Sequence, residues 1–292
     1  MPDIISTQSE KPIRQKLHDV YWLEQTEADM PAENDWLSAT EAIRLTGMHV
    51  AKRRTDWRLG RWTAKRALAI YLNLPGHPQA LSSIEVRPAP SGAPEVFFAN
   101  QPAAVTISLS HRAGTAICAV APCGVALGCD LELIEPRSDG FIADYFTAEE
   151  QALVARAPAA DRSRLLALLW SAKESTLKAL RRGLRLDTRY VIVSPVDGLQ
   201  GQGEDEEERL ENPVPAFGPS CSSDSWRPLR ARCTDGQIFH GWWQRTGNLV
   251  RTLVATPPPA SPILLTKPRL SSSRVFSALQ VARDTLGQTI SL

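Results

Sequence analysis

The chain has 292 residues, of which 43% are hydrophobic and 22% charged, with a formal net charge of +1. This is ordinary globular composition, enough for one large domain or two small ones with a sizeable core. Near-neutrality excludes a protein that is basic or acidic as a whole, so any anion-binding site has to be local.

From the N-terminus, Met1 to Lys16 is polar and lacks the apolar core of a signal peptide. No stretch approaches the ~20 apolar residues of a membrane span. A cytoplasmic protein with no membrane partner is expected. The cysteines at 118, 123, 129, 221 and 233 contain no Cys-x-x-Cys pair and leave one over, so neither a disulfide framework nor a zinc site is indicated. The histidines at 18, 49, 77, 111 and 240 likewise lack metal-ligand spacing.

Val20-Tyr-Trp-Leu predicts a short strand. Trp36-Leu-Ser38 opens a helix, with Ser38 as N-cap and Glu41 at the capping-box distance. Between Lys52 and Arg66 lies a basic block with Trp57, Trp62 and a single acid, Asp56. Three readings compete for it: a solvated helix face, a nucleic-acid surface, or a polyphosphate site. Arg58, Arg61, Trp62 and Lys65 share one helical face, which suits a compact anion better than a long strand. Arg87 to Pro94 is a loop by its Pro and Gly content, and 105–120 reads as two strands about a tight turn. A junction between halves is expected at Pro122-Cys-Gly124. No repeat is evident in the letters.

Gly128-Cys-Asp130-Leu-Glu132-Leu-Ile alternates as a strand does, so Asp130 and Glu132 share a face with backbones roughly 7 Å apart. Such a pair is stable next to solvent or around a hard divalent cation. Phe141 to Tyr145 leads to Thr147, an N-cap with Glu150 at its N3 position. A capping box explains both residues without chemistry.

Leu165 to Leu180 follows as an apolar helix that carries Lys173, Glu174 and Lys178. Trp170, Glu174 and Leu177 fall at i, i+4 and i+7, which sets a carboxylate on a packing stripe. The ordinary reading is an i,i+4 pair of Glu174 with Lys178, worth about 0.2–0.5 kcal/mol. If Glu174 instead crosses to Asp130 and Glu132, three acids converge. Asp161 is a candidate cap for this helix, and Arg181-Arg-Gly183 suits its end. From 198 to 228 an exposed or disordered insertion with an acidic run is expected, then three strands in 226–256, then a tail with one possible helix from Ser273 to Leu286.

Together Gly128-Cys-Asp130-Leu-Glu132, Phe146-Thr-Ala-Glu-Glu150 and Trp170-Ser-Ala-Lys173-Glu174-Ser-Thr-Leu-Lys178 resemble the signature set of the 4′-phosphopantetheinyl transferases, of the larger Sfp-like, pseudo-dimeric type. The resemblance spans roughly Tyr21 to Ala255. It implies an α+β fold of two similar subdomains in a pseudo-twofold arrangement, each a small, mainly antiparallel sheet packed with a long helix. The expected units are 1–124 and 125–260, with 261–292 as a tail outside the resemblance. Internal duplication of this kind implies a monomer.

The implied reaction is transfer of the 4′-phosphopantetheine arm of coenzyme A to a serine of an acyl or peptidyl carrier protein, with release of 3′,5′-ADP. Mg²⁺, or Mn²⁺ in its place, would sit on Asp130, Glu132 and Glu174. Coenzyme A contacts are implied for Arg53, Arg61, Gly92, Ser110, His111, Lys173 and Lys178. Arg53 and Arg61 match an arginine pair on the coenzyme A phosphates, and His111 would donate to a phosphate as imidazolium. Glu174 is the expected base with Glu150 in reserve, while Lys178 or Lys173 neutralises developing charge. The chain departs from the family pattern at Ala93, where a lysine often stands, a loss that Arg87 or Arg112 would make good. It departs again at Arg112, where a small polar residue is usual. Two alternatives from other classes are a metal-dependent pyrophosphate hydrolase and a nucleic-acid binding module built on 52–66. The second leaves the acids without a role.

Overall fold

The structure, a computed structural model, describes residues 18–195 and 225–266. The polar N-terminus, most of the acidic insertion, Cys221 and the Ser273–Leu286 helix lie outside the described residues. In chain order the elements are β1 (Tyr21–Thr26), α1 (Ala39–Thr46), α2 (Ala51–Tyr71), α3 (Pro78–Ser82), β2 (Ile84–Pro88), β3 (Pro94–Phe98), β4 (Gln101–Pro102), β5 (Val105–Arg112) and β6 (Thr115–Pro122). Then come β7 (Ala126–Leu133), α4 (Asp139–Tyr145), α5 (Ala148–Arg156), α6 (Ala159–Ala179), β8 (Val191–Pro195), β9 (Arg227–Cys233), β10 (Ile238–Thr246), β11 (Leu249–Thr256) and β12 (Ile263–Leu264).

The architecture is mixed α+β, with sheet orders β12-β1-β6-β5, β7-β11-β10-β9-β8 and a small β2-β3-β4. Pairing is antiparallel except where β12 joins β1 in parallel. Residues beyond 260 therefore return to the first sheet, and Leu265 enters its core. The division expected at 260 is crossed by strand pairing.

Ala113 and Gly114, both at positive φ, make the tight turn between β5 and β6. Two such residues match the twist of the flanking strands. Each large sheet carries one long helix. The core of α2 includes Leu68, Ile107, Cys118 and Val120, and that of α6 includes Leu168, Leu177, Val250 and Val254. A third cluster, with Trp22, Ile117, Leu131 and Leu253, closes the space between the sheets. Arg251 fixes the same junction by reaching from β11 to both carboxylate oxygens of Glu24 on β1, at 2.7 and 2.8 Å.

The two long helices are secured in the same way. Each has 21 residues. Lys65 follows the first residue of α2 by fourteen positions, and Lys173 follows the first residue of α6 by the same fourteen. Both lysines are fully buried, and each pairs with the N3 glutamate of a capping box. Lys65 lies 2.5 Å from Glu41, and Lys173 lies 2.8 Å from Glu150. The glutamates use their second oxygen alike, Glu41 accepting from the Val86 amide on β2 and Glu150 from the Val193 amide on β8. The lysines donate their remaining protons to backbone carbonyls, Lys65 to Trp36 and Lys173 to Thr188 and Val191. A buried charge pair is stable only when its other protons and lone pairs are largely satisfied; Lys173 has three acceptors, and Lys65 has two with the Trp36 ring centre 5.7 Å from its ammonium.

A repeat is thus present in the letters after all: Trp62-Thr-Ala-Lys65-Arg66 against Trp170-Ser-Ala-Lys173-Glu174. It escapes a reading by pattern because only Trp, Ala and Lys are retained, and because the lysines look like surface charges until their glutamates are seen beneath them.

Candidate active site

Gly128 explains how α6 comes to lie over the acids. A Cβ there would run into the Ser175 carbonyl, so only glycine lets the helix backbone rest on β7. Ser171 and Ser175 add to this contact, each within hydrogen-bond reach of the Thr252 hydroxyl on β11 at 2.9 and 2.7 Å. Small residues on both surfaces bring Glu174 and Lys178 to the strand that bears Asp130 and Glu132.

Asp130 and Glu132 are only 5% and 9% exposed, which removes the solvent-facing option left open by the strand pattern. Asp130 Oδ1 accepts from Lys178 at 2.7 Å and from the Ser110 hydroxyl at 2.8 Å. Its Oδ2 is buried without a partner among the described residues. Glu132 Oε1 accepts from the Trp170 indole at 3.1 Å, and its Oε2 from Arg137 at 3.2 Å, with Arg112 at 3.7 Å.

Desolvation raises the pKa of Glu132, Asp130 adding to it while Arg112 and Arg137 oppose. Glu174 is likewise raised by burial; Lys178 opposes, and Asp130 and Glu132 push further upward. Glu132 and Glu174 thus each lie within electrostatic reach of Asp130. Burial pushes the pKa of Lys178 down, but Asp130, Cys129 and Glu174 together push it up by more and the ammonium is stabilised.

His111, at the end of β5, closes the other side. Partial desolvation holds its pKa below the usual value, with Asp56 opposing and Lys178 and Lys52 assisting. The expected imidazolium is thus disfavoured in the ligand-free protein and would need a bound anion. Lys52 and Asp56 at the start of α2 thus lie within electrostatic reach of His111. Arg53 is exposed in the first turn of α2.

Several expected site residues are elsewhere. Lys173 is buried against Glu150, so in this arrangement neither reaches a ligand. Glu150 as reserve base and Lys173 as phosphate contact are corrected to an internal pair, because a buried charge takes the nearest opposite one. The basic face of α2 is corrected in the same way. Lys65 is bound to Glu41, Arg58 donates to the Pro31 and Ala32 carbonyls, and Arg61 stacks on Trp57 with Glu41 3.7 Å away. That face lies on α1 and the segment before it, which disfavours a nucleic-acid surface.

Ser110 holds Asp130. Gly92, at positive φ, forms the tip of the β2–β3 hairpin, and no contact among the described residues joins it to the acids. Arg87 is engaged by Glu85 at 2.7 Å and by Asn100, and Arg112 by Glu135 at 2.9 Å, so both substitutes for the missing lysine are already paired. A hollow of about 730 Å³ lies off the site, between α4, α5 and the start of α6. It shares Arg137 with the acid cluster.

As placed, no three His, Cys, Asp or Glu side chains among the described residues are arranged as a metal-ligand set. Lys178 engages one oxygen of Asp130 and Arg137 one of Glu132, each a single bond to an oxygen with further lone-pair capacity. The donor chemistry nonetheless suits a hard divalent ion. Asp130, Glu132 and Glu174 are oxygen donors of the kind such an ion takes, and the buried Oδ2 of Asp130 has no hydrogen-bond partner among the described residues.

With this geometry in view, residues 126–211 match the family model described as the 4′-phosphopantetheinyl transferase superfamily. The matched stretch carries β7, Glu150, Lys173, Glu174 and Lys178, and over these residues the chain is similar to that superfamily. Among solved structures, holo-[acyl-carrier-protein] synthase of Helicobacter pylori in complex with coenzyme A matches at 17% identity, over 35% of this chain and 98% of that one, with a TM-score of 0.29. No curated relative matches the chain.

Proposed function

We propose, from the match of 126–211 to the superfamily, that this protein transfers the 4′-phosphopantetheine arm of coenzyme A to a serine hydroxyl of an acyl or peptidyl carrier protein, releasing 3′,5′-ADP. The observation that carries the reading is geometric: within the matched stretch α6 lies on β7 so that Lys178 donates to Asp130 at 2.7 Å and Trp170 to Glu132 at 3.1 Å. The proposed arrangement is of the Sfp-like type, two pseudo-twofold subdomains in one chain. The paired Trp-x-Ala-Lys helices support it.

Asp130, Glu132 and Glu174 would hold Mg²⁺. When bound, that ion supplies charge neutralisation for a pyrophosphate. The chain's own residues do the rest. Ser110 and Lys178 fix the Asp130 carboxylate through Oδ1, and its buried Oδ2 keeps its lone pairs unused among the described residues. Lys178, charged and only partly exposed, would take up negative charge on a leaving phosphate. Glu174, its pKa raised by burial, is suited to accept the serine proton, since a base works best when its pKa lies near the working pH. His111, with Arg53 on the rim, would hold the 3′-phosphate, and a bound phosphate would draw a proton onto the imidazole.

The test is incubation of the protein with coenzyme A, Mg²⁺ and an unmodified carrier domain, followed by intact mass. A serine-linked arm supports transfer. Phosphate products with an unmodified carrier would assign the site to a hydrolase instead.

A further inference from the structure

The Trp170 indole is aimed at Glu132, and its counterpart in the other long helix is not matched in this. Trp62 and Trp170 both stand three residues before a buried lysine, and both sit edge-on against aromatic rings, Trp62 on Trp36 and Trp170 on Phe141 and Tyr145. Trp62 Nε1 is buried without a partner among the described residues, whereas Trp170 Nε1 donates to Glu132 Oε1 at 3.1 Å. Packing at this helix position therefore does not require the bond. On the other oxygen, Arg137 donates to Glu132 at 3.2 Å, and its guanidinium stacks on Phe141 5.0 Å from the ring centre. Phe141 thus braces both donors, and each Glu132 oxygen retains lone-pair capacity for a further partner.

We infer that Trp170 and Arg137 are positioning residues that hold the Glu132 carboxylate by both oxygens, so that it meets a divalent cation already oriented. The inference rests on the reading of Asp130, Glu132 and Glu174 as the cation site. Donors behind metal ligands typically govern affinity by about 10–100-fold.

The measurement is Mn²⁺ binding by isothermal titration to the full chain, without coenzyme A or carrier. Trp170→Phe keeps a ring among Phe141 and Tyr145 and loses the donor; about tenfold weaker binding is expected. Trp62→Phe should bind as wild type does. In the transfer assay the Trp170→Phe defect should appear as a higher Mg²⁺ requirement, with the rate restored to within about twofold at saturating Mg²⁺, a pattern that a merely structural role would not give. Arg137→Lys, which keeps the positive charge and loses the planar fork, should weaken binding in the same direction with the helix untouched. Unchanged Mn²⁺ affinity in both Trp170→Phe and Arg137→Lys, or a rate loss that added cation does not restore, overturns the positioning role alone. A wild-type chain that binds no Mn²⁺ overturns the cation reading and this inference with it.

Discussion

The N-terminal and C-terminal halves share a frame and part at a single step. In both, a 21-residue helix is locked to its sheet by a buried lysine on a capping-box glutamate. One residue further on, the first half has Arg66, which donates to the Gly76 carbonyl, while the second has Glu174 among the acids of β7. Four residues beyond that, Ile70 stands where Lys178 reaches Asp130. The frame is common and the chemistry is not. A charged residue shared by both halves reads as support, and one present only in the second reads as function.

The largest effect expected from this comparison is on the shared frame. Removing one member of a fully buried pair leaves the other uncompensated, so Lys65→Met and Lys173→Met should each lower stability by about 3–5 kcal/mol in denaturant unfolding. A Lys173→Met protein of normal stability but without transfer would break the comparison, since it would make Lys173 a working residue. Next comes Asp130→Ala, which should abolish transfer and also cost about 1–3 kcal/mol, because Lys178 and the Ser110 hydroxyl lose a buried acceptor. Calorimetry showing unchanged stability would contradict the bonds at 2.7 and 2.8 Å.

A smaller, pH-dependent effect belongs to Glu174. A carboxyl whose folded pKa lies above its unfolded value holds its proton more tightly in the native state, so it lowers stability as pH rises through that interval, starting near 4.5. Glu174→Gln should thus match wild type at acid pH and gain on it toward neutrality, measured by thermal unfolding with chelator present. A gain that shrinks as pH rises would reverse the assigned cause. The smallest effect is expected at Arg66→Gln, within about ±0.5 kcal/mol and with normal transfer. A transfer defect there would place chemistry in the first half as well.

Much of this was legible in the sequence because it rests on local pattern. The β7 alternation, the Thr147–Glu150 and Ser38–Glu41 caps, the β5–β6 hairpin and the order of the acidic motifs all follow from spacing. Burial was harder to see. Lys65, Lys173 and Glu150 read as site residues because a charge on a helix normally faces water, and the partner that holds each inside lies on another element. Trp170 read as a packing residue, and its bond to Glu132 joins positions 38 apart in the chain. The return of β12 to β1 had no signal either, since two paired residues after a proline run carry no periodicity.

The central claim is that Glu174, and not the lysine beside it, does the work of this helix. Its most direct test is the rate at which Glu174→Gln, shown folded by its melting curve, modifies a carrier serine at saturating coenzyme A and Mg²⁺, read by intact mass over time. Loss of a proton acceptor and cation ligand predicts a rate lower by about 100-fold or more. A wild-type rate in the folded variant would contradict the account.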